Sequence, residues 1–373
     1  MTRLTVADLP PVTGAWREGD PVGSRRFVDL GALELESGDK LDAVRVAYES
    51  WGDPSAPSVL VLHALTGDSH VVGPAGPGHA SPGWWESLVG PGRPVDTDRL
   101  HVVAANILGG CQGTTGPSST ASDGAPWGSR FPDLTVRDQV AAEVALADHL
   151  GIDRWHAVVG GSAGGMRALE WAITHPDRVE RLFLLATSAQ ASAEQIALSS
   201  TQQAAITADA HFAGGDYYGA DHGPVAGLDV ARRIAHIAYR SEPELEQRFG
   251  RDTEPNGQFS VGSYLEHHGA KLARRFDANS YLVLTRAMDS HDVGRGRGGV
   301  VAALSRITAR TVVAGIDSDR LYPIAQQQEL ADLVPGADRL RVVRSLHGHD
   351  GFLVEQDQVG ALAAELLDPG PWS

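Results

Sequence analysis

A single cysteine, Cys111, stands in 373 residues. That scarcity excludes an internal disulfide, and with it a disulfide-stapled secreted scaffold, and it leaves no thiolate set for zinc. Positive charge is also in short supply: 31 Lys and Arg face 47 Asp and Glu, a net charge of −16. Phosphate-rich partners repel such a chain, so neither nucleic acid nor an anionic membrane is expected to bind it, and any anionic ligand must be met by local cations. No apolar run approaches the roughly 18 residues of a membrane span. Met1-Thr2-Arg3-Leu4-Thr5 lacks the apolar core of a secretory signal. No H-E-x-x-H and no Cys/His spacing suggests a metal, so no metal site is expected. These absences point to a soluble, cytoplasmic protein, and 42% apolar residues are enough to bury a large core.

Between Phe27 and Tyr48, apolar alternation flanks Ser37-Gly38-Asp39, the pattern of a hairpin. Residues 1–24 ahead of it are rich in Pro and Gly and predict an irregular arm. Continuous apolar runs at Val59–Leu62 and His101–Ala105 predict strands covered on both faces. A loop of Gly, Pro, Ser and Thr follows, from Asn106 to about Gly128. Thr135 followed by Asp138 resembles a capping box, and Val136, Val140, Val144, Ala147 and Leu150 share one helical face up to Gly151. Trp155–Val159 predicts a strand, Met166–Ile173 a helix that stops at His175-Pro176, and Leu182–Leu185 another strand. Such alternation requires a mostly parallel sheet with helices on both faces. It lapses between Ser188 and about Val300, where the pattern is mainly helical. Strand Thr311–Ala314, helix Ile324–Leu333, strand Leu340–Val343 and helix Leu353–Leu367 then resume it. The parse is one α/β core, residues 1–187 and 301–373, with a helical lid inserted over residues 188–300.

Gly160-Gly161-Ser162-Ala163-Gly164 matches G-x-S-x-G. The pentapeptide alone is common, but a buried strand leads into it and an apolar-periodic helix leads out, as a nucleophile elbow requires. A serine in that tight turn is strained, small neighbours avoid clashes with strand and helix, and the helix N-terminus brings positive partial charge beside Ser162. A hydroxyl nucleophile needs a base, and the base an orienting acid, in the chain order serine, acid, histidine. After the strand at 311–314 two acids compete. Asp319 lies further round the turn, in a D-x-x-x-P pattern, and is preferred; Asp317 is expected to cap the turn. After the last strand two histidines compete. His349, following Gly348 and preceding the final helix, is the expected base, with His347 a loop neighbour. The oxyanion of an acyl transfer needs two amides. Ala163, next to the nucleophile, is one; Leu65, in His63-Ala64-Leu65-Thr66-Gly67 after the strand ending at Leu62, is the other.

With these residues placed, the chain resembles the homoserine O-acetyltransferase family of the α/β-hydrolase superfamily. The resemblance rests on His63–Gly67, on Asn106-Ile107-Leu108-Gly109-Gly110-Cys111-Gln112-Gly113-Thr114-Thr115-Gly116-Pro117, on Gly160–Trp171, on Ala231-Arg232 through Tyr239-Arg240-Ser241, on Asp317–Pro323 and on Gly348–Leu353. The long loop at Gly110–Pro117 is far more specific than G-x-S-x-G. The resemblance implies an α/β-hydrolase fold with an inserted helical lid and a ping-pong reaction in methionine biosynthesis. Acetyl-CoA would be the co-substrate, with no permanently bound cofactor, and L-homoserine the acceptor. Ser162 would carry the acetyl group, Arg232 would grip the homoserine carboxylate beside Tyr239, and Asp350 would hold its ammonium. The resemblance also implies a homodimer formed through the lid. One departure is visible: Ala163 stands where similar proteins carry Met, which leaves more room beside the nucleophile.

Other patterns compete for attention. Gly294-Arg295-Gly296-Arg297-Gly298-Gly299 satisfies G-x-G-x-x-G, but no strand leads into it, so a dinucleotide site is not expected. Arg295 and Arg297 suit either CoA phosphates or a solvated basic loop. Cys111 has no base beside it in sequence and is expected to be inert packing. The triad itself does not separate an acetyltransferase from a homoserine or serine O-succinyltransferase, or from an esterase whose acyl-enzyme is taken by water. The loop at Gly110–Pro117, with Arg232, Tyr239 and Asp350, favours transfer to a zwitterionic acceptor.

Overall fold

The computed structural model describes residues 10–367. The first nine residues of the arm, with the Met1–Thr5 start, lie outside them; residues 10–25 are irregular. Strands β1 (Arg26–Glu34) and β2 (Lys40–Trp51) form the expected hairpin, closed where the Leu35 N–H donates to the Asp39 carbonyl at 2.9 Å. β2 pairs antiparallel with β4 (His101–Ala105). The remaining pairs are parallel and join β3 (Ser58–Leu62), β5 (Ala157–Gly161), β6 (Arg181–Leu185), β7 (Arg310–Ile316) and β8 (Ala337–Val343). The order across the sheet is β1-β2-β4-β3-β5-β6-β7-β8.

Strands β3 to β6 are buried along their whole length, and successive residues feed two different cores. Leu60, Leu62, Val158, Leu182 and Leu184 join α1 (Val136–His149), α2 (Ala163–Thr174) and α9 (Ile324–Leu333) on one face. Val59, Val61, Val159, Phe183 and Leu185 join Trp85, Leu88 and α11 (Gln356–Leu367) on the other. A strand covered on both faces has no polar side to alternate with, which explains the unbroken apolar runs. β5 starts two residues later than its apolar pattern and runs two further, into Gly160 and Gly161. The ladder sets that limit: Gly160 pairs with Leu62 and Leu184, and Gly161 with Leu185.

Helix α1 begins at the capping box: the Asp138 N–H donates to Thr135 Oγ1 at 3.3 Å and the Thr135 N–H to Asp138 Oδ2 at 2.8 Å. Such a cap contributes about 1 kcal/mol. Its second oxygen accepts from the Glu36 N–H at 2.6 Å and so ties the hairpin to the helix.

Between β6 and β7 lie α3 (Ala193–Thr207), α4 (Val225–Tyr239), α5 (Glu242–Phe249), α6 (Ser260–Ala273) and α7 (Ala278–Asp289), followed by α8 (Val300–Leu304). The glycine-rich stretch at 294–299 joins α7 to α8, and no strand leads into it. Its arginines fit neither expectation. Arg297 is pinned on buried Glu170, with Nη1 at 2.9 Å, and Arg295 pairs with Glu36 at 2.8 Å, so both join the loop to the core. The loop from 106 to 128 is equally structural: Thr114 Oγ1 donates to Asn106 O at 2.7 Å and accepts from the Ala47 N–H at 2.9 Å, sealing the edge of β2. Among the described residues no helix is long and apolar enough to cross a membrane.

A buried ion pair locks α1, α2 and the loop after β3 together. Arg167 on α2 is fully buried; its Nη1 pairs with Glu143 of α1, and its Nη2 donates to the His63 carbonyl at 2.6 Å. Glu143 also accepts from Trp171 Nε1 at 2.8 Å. Removing one partner of such a pair leaves a charge stranded in the core. Glu143→Gln should therefore cost about 3–5 kcal/mol, read as a lowered urea midpoint. A loss under about 1 kcal/mol would show that the pair is not what holds these elements together.

Candidate active site

Ser162 sits between β5 and α2 with φ 56° and ψ −125°, a strained conformation for a residue with a side chain. Its backbone is held on three sides: its N–H donates to Leu185 O at 2.9 Å, and its carbonyl accepts from the Gly165 N–H at 2.9 Å and Thr187 Oγ1 at 3.0 Å. The turn closes because Gly164 has no side chain; a Cβ there would stand 2.1 Å from the Leu62 carbonyl.

The expected relay is complete. His349 Nε2 lies 2.8 Å from Ser162 Oγ, and His349 Nδ1 lies 2.6 Å from Asp319 Oδ2. All three residues are buried. The other Asp319 oxygen accepts from the Leu321 N–H at 2.8 Å and the Tyr322 N–H at 2.9 Å, which aims the carboxylate at the ring. Tyr322 stacks on the imidazole at 5.0 Å and 22°, and Phe352 meets its edge at 5.4 Å. Asp317 is turned away, accepting from the Ser345 N–H at 3.0 Å, and His347 pairs with Glu244 at 3.0 Å. Of the neighbouring candidates, it is His349 that the fold brings into contact with Ser162, and Asp319 that it brings into contact with His349.

The Leu65 and Ala163 amides lie at the two places expected of an anion cradle, one in the loop after β3 and one in the first turn of α2. Among the described residues neither amide has a hydrogen-bond acceptor. Arg167 steadies the first through His63 O, and His63 fixes the same loop by accepting from the Ile107 N–H at 3.2 Å. Burial, and then the Arg167 charge, push the His63 pKa down to about 3, so the ring stays neutral.

Helix α4 carries Arg232 and Tyr239 to the same place. The Arg232 guanidinium lies 5.4 Å from the Tyr239 ring centre and donates to Thr66 Oγ1 at 3.3 Å. Tyr239 reaches the His349 ring at 5.8 Å. The approach is close because Gly348 takes φ +61°; a Cβ there would meet Tyr239 O at 2.5 Å. Asp350 faces Arg240 at 3.0 Å. Burial raises the pKa of Asp350 even though Arg240, His349 and Arg232 pull the other way. Arg232, Tyr239 and Asp350 therefore lie beside the His349 end of the relay, whereas Arg295, Arg297 and Cys111 do not join it.

Comparison with known proteins bears on the fold and the family. The family described as the alpha/beta hydrolase fold matches residues 57–356. A homoserine O-acetyltransferase of Thermobifida fusca is 62% identical over 368 residues, spanning 96% of this chain and 97% of that protein. The chain belongs to the homoserine O-acetyltransferase family. Among solved structures, a homoserine O-acetyltransferase from Bacillus anthracis superposes with a TM-score of 0.85 at 24% identity, covering 94% of this chain and 98% of that one. That likeness carries the fold alone. An acetylester hydrolase from Corynebacterium glutamicum superposes at 0.80 with 26% identity, covering 93% and 96%. Membership of the family therefore sits beside a fold shared with esterases.

Two features escaped the sequence reading. One is the lock through Arg167 and Glu143, whose partners are 24 residues apart on different helices. The other is a buried group of Glu49, His70 and His79, the one set of metal-capable side chains found among the described residues. Most of its polar atoms are engaged, with His79 Nδ1 left without a partner. His70 Nδ1 faces Glu49 at 2.9 Å, Glu49 Oε1 accepts from Ser69 Oγ at 2.8 Å, and His79 Nε2 accepts from the Ser24 N–H at 2.9 Å. The group stitches the arm, β2 and the loop after β3 together. Cys111 is buried, and burial pushes its thiol pKa well up, so it is unreactive packing.

The relay has a defined pH dependence. Burial works against the His349 imidazolium, but Asp319 and then Asp350 outweigh it, and the net pKa shift is upward. His349 accepts a proton only when neutral, so Ser162 acylation by p-nitrophenyl acetate should fall as pH drops through a midpoint above about 6.5. Asp350→Asn should move that midpoint down. A midpoint that stays put in this variant would remove Asp350 from the electrostatics of the ring.

Proposed function

We propose that this chain transfers an acetyl group from acetyl-CoA to the side-chain hydroxyl of L-homoserine, in two half-reactions through acetyl-Ser162. The observation that carries the reading is the opposition of the 2.8 Å Ser162–His349 contact to Arg232, Tyr239 and Asp350, an acyl-transfer nucleophile facing groups suited to a zwitterion. Family membership supports the same acceptor.

In the first half-reaction His349 Nε2 takes the Ser162 proton as Oγ attacks the thioester carbonyl. The Leu65 and Ala163 amides receive the oxyanion, and Asp319 stabilises the imidazolium that forms. The tetrahedral species collapses, the C–S bond breaks, and the imidazolium returns its proton to the CoA sulfur. In the second, His349 takes the proton of the homoserine hydroxyl, whose oxygen attacks acetyl-Ser162. Collapse gives O-acetylhomoserine and restores the serine with its proton. Arg232 holds the acceptor carboxylate with its planar fork, and Asp350 receives the ammonium beside the catalytic ring. The donor arm is assigned to a cleft lined by Leu65, Met166, Tyr239, Tyr322, Gln195 and Ser199, next to the tyrosine that stacks on His349. Ala163 in place of the family's Met leaves room for the acyl group.

The helices over residues 188–300 act as a lid on the core formed by 1–187 and 301–373. The outer face of α4 bears Val230 and Ile237, each 43% exposed, with Ile234 between them at helical spacing. A second copy covering this stripe makes the homodimer, with a mass in solution of twice 39.4 kDa. Methionine biosynthesis in the cytoplasm is the setting that suits the product. The fold shared with an acetylester hydrolase favours one alternative, in which water takes the acyl group. A succinyl donor, or serine as acceptor, would keep the relay and change only the pocket.

Free-thiol release separates these readings. Release from acetyl-CoA should require L-homoserine, yield its O-acetyl ester and vanish in Ser162→Ala. A preference for succinyl-CoA or L-serine would correct donor or acceptor. Ester hydrolysis through Ser162 with no stimulation by homoserine would replace transfer by hydrolysis.

A further inference from the structure

Two cations beside the proposed acceptor site lack a countercharge. Arg232 and Arg275 converge on Thr66: Arg232 Nη1 donates to its Oγ1 at 3.3 Å, and Arg275 Nη1 to its carbonyl at 2.8 Å. Nearby arginines are neutralised, Arg240 by Glu244 and Asp350 and Arg233 by Asp229. Among the described residues no carboxylate lies within 4.0 Å of Arg232 or Arg275. Burial, and then the charge of Arg232, lower the Arg275 pKa, with Asp68 opposing them from beyond ion-pair range. His236, on the same helix as Arg232, is buried; its Nδ1 lies 3.3 Å from the Tyr264 hydroxyl and its Nε2 has no hydrogen-bond partner. Burial and then the Arg232 charge push its pKa down to about 2, so it adds no positive charge beside the two arginines. In a chain of net charge −16, two unpaired guanidinium groups at one residue are costly unless a ligand neutralises them.

Arg275 is also braced to stay in place. Gln112 Nε2 donates to its carbonyl at 2.9 Å, while Arg25 Nη2 donates to Gln112 Oε1 at 2.8 Å. The specific loop of the family thus holds this arginine against the oxyanion loop.

The geometry points to Arg275 as the second cation of a two-arginine carboxylate site, which with Arg232 selects acceptors that carry a carboxylate. This rests on the acceptor reading above and adds a residue to it. Arg275 determines which alcohol is acylated, while the chemistry at Ser162 proceeds without it.

The test compares wild type, Arg275→Met and Arg275→Lys on two acceptors, L-homoserine and 3-aminopropan-1-ol, the same chain without the carboxylate. With acetyl-CoA as donor, Arg275→Met should lower kcat/KM for homoserine about 10- to 100-fold, through KM, as expected for loss of a charge-assisted hydrogen bond. Transfer to 3-aminopropan-1-ol and the p-nitrophenol burst from p-nitrophenyl acetate should fall far less, so that the preference for homoserine over 3-aminopropan-1-ol drops about 10-fold or more. Arg275→Lys, which keeps the charge without the fork, should fall between, and it provides the same comparison if the methionine variant does not fold. Equal losses on both acceptors, or a lost burst, would overturn the proposal and leave Arg275 as a brace for Thr66. A loss confined to reactions with succinyl-CoA would also overturn it, by moving the carboxylate to the donor. Wild-type enzyme that acylates neither acceptor would instead defeat the acceptor reading itself.

Discussion

Ser162 carries its side chain at φ 56°, and much of the site follows from that one strained residue. The strain persists because the surroundings over-determine it: β5 delivers the chain at the centre of a sheet buried on both faces, Leu185 and Thr187 hold the serine backbone, and Gly164 lets α2 pass close to Leu62. The same turn fixes the start of α2, so the Ala163 amide is placed with no adjustment of its own. Arg167, one turn along α2, then reaches back to the His63 carbonyl and sets the loop that bears the other amide. Nucleophile and both candidate oxyanion donors are in this way parts of one rigid unit.

Electrostatics supplies the rest. A chain of net charge −16 repels anions at long range, yet the proposed substrates carry a carboxylate and phosphates. The answer in the structure is local. Arginines on α4 and between α6 and α7 turn inward beside Thr66, while surface arginines such as Arg295 are consumed by ion pairs. Burial opposes the His349 imidazolium, but the charges of Asp319 and then Asp350 outweigh it and favour the imidazolium that forms when the ring takes the serine proton. Transfer and hydrolysis would share all of this machinery, and under the proposed reading they differ in which hydroxyl reaches acetyl-Ser162.

Most of the site was legible because it obeys local rules. The elbow shows as strand, glycine turn and helix between Trp155 and Ile173, and the acid and histidine fall after strands whose apolar runs are unbroken. Choosing Asp319 over Asp317 and His349 over His347 was a matter of position in the turn, and the hydrogen bonds to the Leu321 and Tyr322 amides supply the physical reason. What was illegible depends on long-range packing. Glu143 and Arg167 look like ordinary helix-surface charges until the helices meet. Glu49 comes from β2 while His70 and His79 come from the loop after β3, and Arg275 lies in a short link between α6 and α7 with no motif of its own. The basic loop at 294–299 misled for the same reason, since its partners Glu36 and Glu170 are distant in sequence.

The central claim is that Ser162 accepts an acetyl group and keeps it until an alcohol arrives. Intact-protein mass spectrometry after brief mixing with acetyl-CoA tests this directly. A single added acetyl group on Ser162, absent in Ser162→Ala and discharged by L-homoserine faster than by water, is the expected result. Release of CoA with no acetylated protein at any time, or discharge at the same rate with and without homoserine, would contradict the account.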